Sequence, residues 1–241
     1  MAMSEKGGHL GYALPEERSL YPDTDGQPMA ASDDHRRVLM RILRVLESFF
    51  KDNPEVYVSG DLLMYYVEGD PRKVVAPDVL VSFGIGQKAR RTYLVWQEEK
   101  PPDFVMELAS ESTYQKDLGE KMQIYAGLGI TDYFLCDIED LYLPAPLMGF
   151  TLVDGKYQPV PQATDGGVHS AVIGLTLHLQ PDVLQFYDPA TEQWLQTPEE
   201  AEEASTEQET LARQQASARA ETAEAEVARL RAELEPLRGN P

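Results

Sequence analysis

Between Val56 and Tyr187 the chain runs through short apolar stretches rich in Val, Leu, Tyr and Phe. Gly, Pro and Asp break them up. Runs of this length and composition bounded by turn residues read as strands. They are Val56-Tyr-Val-Ser, Leu62 to Val67, Lys73 to Phe83 interrupted by Pro77, Thr92 to Gln97, Phe104 to Ala109 and Tyr133 to Asp137. A hairpin follows, Phe150 to Val153 and Lys156 to Val160, turned by Asp154-Gly155, a dipeptide suited to positive φ. Val172 to Leu179 and Leu184 to Tyr187 close the series.

Two helices punctuate the strands. Val38, Leu39, Ile42, Leu43, Val45, Leu46, Phe49 and Phe50 recur at helical spacing up to about residue 51. Ser32, Asp33 or Asp34 can cap that helix, and Arg37, Arg41, Arg44 and Glu47 or Ser48 lie opposite its apolar face. Ser112-Thr-Tyr-Gln115 has capping-box spacing, so a second helix is expected from there, or from Asp117, to about Leu128, with Gly127 and Gly129 at its end. The order predicts an α/β (α+β) domain with a mixed central sheet flanked by helices. Residues 32–197 form that domain. Residues 1–31, rich in Gly, Pro and polar residues, read as an irregular arm.

At Pro198 the composition changes abruptly to Ala, Glu, Gln and Arg. Residues 198–241 read as a long helical tail. Ala216, Ala220, Ala223, Val227, Leu230, Leu234 and Leu237 are spaced alternately four and three apart, a heptad seam. The seam suggests a homo-oligomer formed through this coiled coil. The alternative is a solvated single helix held by Glu/Arg pairs.

Two acids are set in apolar runs. Asp78 sits in Val-Val-Ala-Pro-Asp-Val-Leu-Val and Glu107 in Phe-Val-Met-Glu-Leu-Ala. A charge on a buried strand is costly unless a cation or metal compensates it. Asp61, after a Gly, could add a third acid or simply be a turn residue. Glu47 could be an outer acid or an exposed charge. His35, His169 and His178 share no ligand spacing, so no zinc site is expected. Cys136, the only cysteine, reads as an inert core thiol and excludes an internal disulfide framework. No glycine-rich phosphate loop and no nucleophile elbow is present.

The net charge of −20 argues against strong non-specific DNA binding. The tail contributes −6 and the rest −14, so the globular part is itself acidic. Basic residues cluster only at Arg36, Arg37, Arg41 and Arg44, and at Lys88, Arg90 and Arg91. No apolar run is long enough to span a membrane, and the N-terminus lacks the apolar core of a secretory signal. A cytoplasmic location is expected.

Pro77-Asp78-Val79, Glu107-Leu-Ala-Ser110-Glu-Ser112-Thr113, Asp117-Leu-Gly-Glu-Lys121 and Ile130-Thr-Asp-Tyr133-Phe134, in this order, resemble the Uma2 family (DUF820) of the PD-(D/E)XK, restriction-endonuclease-like superfamily. The resemblance covers roughly residues 25–195. It implies a restriction-endonuclease-like sheet and a Mg²⁺-dependent (or Mn²⁺-dependent) endonuclease acting on DNA. Asp78 and Glu107 would hold the ion, with the Leu108 carbonyl as a third ligand, and Asp78, Glu107 and Lys121 would be catalytic. The superfamily's usual lysine position, two residues past the second acid, is Ala109 here. The Uma2 pattern moves the lysine to the next helix, where Lys121 stands and Lys116 competes. Ser110, Ser112 and Thr113 would cap that helix or touch phosphate, and Tyr125 reads as core. Two other functions stay open: a catalytically weak or inactive nuclease-fold module that oligomerises through its tail, and a hydrolase of another phosphate ester.

Overall fold

The computed structural model describes residues 20–23, 32–181 and 183–238. Most of the expected N-terminal arm lies outside the described residues. Helix α1 spans Asp33–Phe49. Ser32 caps it, its hydroxyl accepting the His35 N–H at 3.1 Å, and Val38, Leu39, Ile42, Val45 and Leu46 are its buried stripe.

The strands are β1 (Val56–Ser59), β2 (Met64–Tyr65), β3 (Val74–Val75), β4 (Val79–Phe83), β5 (Tyr93–Leu94), β6 (Phe104–Leu108), β7 (Asp132–Cys136), β8 (Leu147–Val153), β9 (Lys156–Pro159), β10 (Val168–Ser170), β11 (Leu175–Gln180), β12 (Val183–Asp188) and β13 (Gln193–Trp194). Helix α2 lies between β6 and β7 in three joined pieces: Tyr114–Lys116, a widened π-type turn Asp117–Lys121, and Met122–Leu128. Gly129, at φ 83°, ends it, a backbone shape that costs glycine little.

The main sheet has the order β1-β4-β6-β7-β8-β9. Only β6 and β7 are parallel within it, and α2 is the crossover joining them. Both strands are buried along their whole length. Side chains alternate between the faces. Val79, Val81, Phe104, Met106 and Phe134 pack with α1 and with Leu175, Leu177, Leu184 and Phe186 of a second, antiparallel sheet, β10-β11-β12-β13. Leu80, Val105, Tyr133 and Leu135 pack on the other face with Tyr125 of α2. A small sheet, β3-β2-β5, has its own apolar cluster of Tyr21, Leu63, Tyr65 and Leu94.

Four expected strands are shorter or broken. Of Thr92 to Gln97 only Tyr93–Leu94 is strand, the chain turning where the Gln97 and Glu98 N–H groups bond the Leu94 carbonyl. Lys73 to Phe83 divides into β3 and β4, which belong to different sheets. Pro77 has no N–H to continue a ladder, and its carbonyl is taken by the Asp61 N–H at 3.1 Å. Val172 to Leu179 is reduced to β11, because Gly174 turns the chain at φ 73°. Of Leu62 to Val67 only Met64–Tyr65 pairs.

The chain divides into two compact units between Leu195 and Gln196. The second contains helix α3, Pro198–Arg238, with exposed side chains along most of its length. The expected seam residues Leu234 and Leu237 have side chains outside the described set. Among the described residues, no helix is long and apolar enough to cross a membrane.

Candidate functional site

Strand β4 runs antiparallel to β6 with Val79 opposite Met106. One step further along the same register, Asp78 stands opposite Glu107. Glu107 shares the parity of Val105 and faces α2, whereas the Asp78 carboxylate, just before β4, turns to the end of β6 and to His35 of α1. The Leu108 N–H donates to Asp78 Oδ2 at 2.7 Å, and the Asp78 N–H reaches Glu107 Oε2 at 3.4 Å. Here the Asp78 carboxylate replaces a ladder partner at the end of β6. A close backbone approach sets its place: a Cβ on Gly60 would lie 2.3 Å from the Asp78 carbonyl oxygen and about 3.0 Å from Leu43 of α1.

Glu107 is wholly buried. Its Oε1 accepts the Tyr125 hydroxyl at 2.6 Å and its Oε2 accepts Lys121 Nζ at 2.8 Å. Lys121 also pairs with the buried Asp117 at 3.1 Å, whose carboxylate has no aligned hydrogen bond among the described residues. A regular helix would rotate by about 80° over the eight residues from Asp117 to Tyr125. The π-type turn offsets this drift, so Asp117, Lys121 and Tyr125 all meet the Glu107 side of the sheet. The Tyr133 hydroxyl donates to the Asp117 carbonyl at 2.9 Å and ties that turn to β7.

Charge is poorly balanced here. Burial first, and then the nearby Asp78 and Asp117, push Glu107 up to about 8, against the opposing pull of Lys121. Burial also raises Asp117. Burial works against the Lys121 ammonium, but Glu107, Asp117 and Asp78 outweigh it and hold its pKa above the ordinary value.

His35, in the first turn of α1, places Nε2 3.8 Å from Asp78 Oδ1. That is an ion-pair separation, too long for a hydrogen bond. The carboxylate raises the imidazole pKa against the effect of burial. His35 also lines an open cleft of about 750 Å³ with Val38, Ser110, Ser112, Glu139 and Tyr142. His35, beside Asp78, reaches this cleft, whose lining contains neither Asp78 nor Glu107.

The structure gathers Asp78, Glu107 and Lys121, with Leu108 hydrogen-bonded to Asp78. Lys116 is exposed on α2. Asp61 adopts φ 50° beside Pro77 and acts electrostatically on His35. Glu47 is exposed, and twelve residues of helix, about 18 Å, separate it from His35. Ser112 and Thr113 do not form the expected capping box: Thr113 makes no side-chain cap bond. Its hydroxyl lies 3.0 Å from Ser110 Oγ instead, and Ser112 Oγ lies 3.2 Å from the same atom. Tyr125 is core, as its sequence setting suggests, but it also bonds Glu107. His169 meets Thr176, His178 meets Trp194, and neither reaches this site. The buried Cys136 thiol is pushed up to about 12 by burial. Arg90, counted in a basic cluster, is buried and spent on Glu98. The sequence offers His35 only as a histidine without ligand spacing and Gly60 only as a break before Asp61, because no local pattern ties either to Asp78.

Among the described residues, no three His, Cys, Asp or Glu side chains are close enough to enclose an ion by themselves. The oxygen donors of Asp78 and Glu107 nevertheless fit a hard cation that keeps several of its waters, and the excess of buried acid over Lys121 favours one.

A family model described as "Uma2: Putative restriction endonuclease" matches residues 9–182. One similar solved structure is described as a "putative nuclease belonging to DUF820" from Anabaena variabilis. It shares 17% identity with this chain, has a TM-score of 0.44, and the match covers 59% of this chain and 74% of that one. No curated protein matches.

Proposed function

The chain belongs to the Uma2 family, and from that premise we propose that it is a Mg²⁺-dependent endonuclease, able to use Mn²⁺, that hydrolyses phosphodiester bonds of DNA in the cytoplasm. One observation carries the reading: two acids face each other on adjacent strands with Lys121 bonded to the inner one.

Asp78, Glu107 and the Leu108 carbonyl would hold the cation. When bound, such an ion polarises a phosphodiester and lowers the pKa of an attacking water. The chain's own groups do the rest. Lys121 presents a buried ammonium that can neutralise charge growing on a phosphate oxygen. Asp117 holds that ammonium in place, and the Tyr125 hydroxyl fixes the rotamer of Glu107. Helix α2 covers Glu107 and keeps bulk water from it. The purified chain with Mg²⁺ or Mn²⁺ is expected to nick plasmid DNA, and Asp78→Ala to abolish nicking. Equal nicking by both proteins overturns the reading.

Ala109 in the usual lysine position and the seam of α3 favour a second reading, an interaction module that oligomerises through its tail. Val227 and Leu230 are exposed seam residues. Sedimentation should then show the full chain as an oligomer and a chain ending at residue 197 as a monomer. Equal masses per chain remove this reading.

A further inference from the structure

The cleft beside His35 holds about 750 Å³, the size of a small-molecule site, so it admits a nucleotide base but not a duplex. Its charges suit the phosphate backbone poorly. Arg37 pairs with Asp34 at 3.0 Å, Glu111 and Glu139 stay exposed on the wall, and Ala109 offers a methyl rather than a cation. The apolar part of the lining is better placed, with Val38, Ile138 and Leu141 beside Tyr142. The half-buried Tyr142 ring lies 5.7 Å from that of Tyr114 at 31°, an offset aromatic pair. Leu141 is 71% exposed. The loop that carries both is braced. The buried Asp137 accepts the Leu141, Tyr142 and Leu143 N–H groups on one oxygen at 3.0, 2.6 and 2.9 Å, and Asp140 turns the chain at φ 53°. The Tyr142 hydroxyl donates to Glu139 at 2.9 Å and orients the ring. A face held ready in this way spares a ligand the cost of ordering it.

We propose that this cleft takes up an unpaired base, with Tyr142 as its stacking face, so that the substrate is single-stranded or locally unpaired DNA. This rests on the nuclease reading above and names its substrate. Stacking on an aromatic face serves any base. It draws less on cationic groups than phosphate contact does, which suits a chain of net charge −20. An intact duplex keeps its bases in the stack, and extracting one costs free energy that an unpaired strand does not pay. The position also fits. His35 lines the cleft and lies 3.8 Å from Asp78, and Ala109 of the lining follows Leu108, whose N–H holds the Asp78 carboxylate. A base seated here brings its own strand alongside the acid pair.

The test uses the full chain with Ca²⁺ in place of Mg²⁺, a gel checking that the strands stay intact. The probe is a mixed-sequence DNA oligonucleotide carrying 2-aminopurine, free as a single strand or annealed as a duplex. Anisotropy should show the single strand bound about 10-fold or more tighter than the duplex, and its 2-aminopurine emission should be quenched on binding. Tyr142→Ala should weaken single-strand binding about 10-fold or more, the scale of one lost base–aromatic stack, and remove the quench. Tyr142→Phe keeps the ring, drops the hydroxyl, and should retain both. Melting checks that the variants are folded, and Tyr142→Leu replaces Tyr142→Ala if that chain is not. Equal binding of strand and duplex, no binding of either, or a Tyr142→Ala chain indistinguishable from wild type overturns the base subsite. Plasmid nicking with Mg²⁺ that is lost in Asp78→Ala then leaves the nuclease reading standing, and where nicking does not depend on Asp78 both fall.

Discussion

Two buried charge clusters lie on this domain and are built in opposite ways. At Arg90 and Glu98 every group is matched. The guanidinium spends its five N–H groups on both Glu98 oxygens and on the carbonyls of Ile85, Gly86 and Lys88, and it lies 4.1 Å from the Tyr57 ring centre. Burial alone would raise Glu98, but Arg90 and Lys88 outweigh it and hold its pKa below the ordinary value. At Asp78, Glu107 and Asp117, three acids share one lysine and an imidazole, and polar atoms of Asp117 and His35 lack hydrogen-bond partners among the described residues. A charge cluster that only holds a fold is saturated. One that keeps spare valence can take a ligand.

The sharpest way to break this contrast is to cut each cluster. Arg90→Met should cost about 1–3 kcal/mol, because Glu98 loses its two-pronged partner and the carbonyls of Ile85, Gly86 and Lys88 lose a donor, while Lys88 still pairs with the acid. Asp78→Asn should change stability by less than about 1 kcal/mol, because it removes an acid that the site holds in excess. Urea denaturation of both variants checks this, and similar losses in the two would erase the distinction.

The second way is pH. Folded Glu107 keeps its proton up to about 8, whereas the unfolded chain releases it near 4.5. The folded state binds more protons between those values, so stability should decline as pH rises from about 4.5 to about 8. For a group this buried the loss is on the order of a few kcal/mol. The raised pKa of Lys121 acts only above its ordinary 10.5 and leaves this window untouched. Denaturation profiles from pH 5 to 9 should slope downward for the wild type and slope less for Glu107→Gln, the remainder coming from His35 and Asp117, whose pKa values are also raised.

A third way is steric. Gly60→Ala should cost about 1–3 kcal/mol, because the added methyl meets the Asp78 backbone. It should also weaken metal binding by displacing Asp78, which a paired melting and calorimetric measurement would show. Tyr125→Phe removes one hydrogen bond to Glu107 and should cost about 1–2 kcal/mol. The smallest effect belongs to the exposed Arg229–Glu226 pair on α3. Glu226→Ala there should stay within about 0.5 kcal/mol in thermal melts.

Periodicity and turn chemistry were enough to place α1, the hairpin of β8 and β9, the two central strands and the long tail helix, because each is written in neighbouring residues. The acids at Asp78 and Glu107 were legible for the same reason: a charge inside an apolar run conflicts with its surroundings. The lysine was legible through its four-residue spacing from Asp117. The division at Pro77 between two sheets was not, since strand partners are set by packing far along the chain. Nor was the π-type turn, a departure of one residue that no local pattern announces. Tyr125 read as core, and the structure shows that it is core and also a ligand of Glu107.

What the sequence determined by itself, then, is which residues carry charge into the core and which elements bear them, because hydrophobic period and local conflict act over a few residues. Tertiary structure alone decided which groups meet. Asp78 faces Glu107 through strand register, Lys121 rather than Lys116 reaches it through the widened turn, and His35 comes beside Asp78 from 43 positions away along the chain. Those distances follow from how α1, β4 and α2 pack on one another, and no local rule encodes that packing.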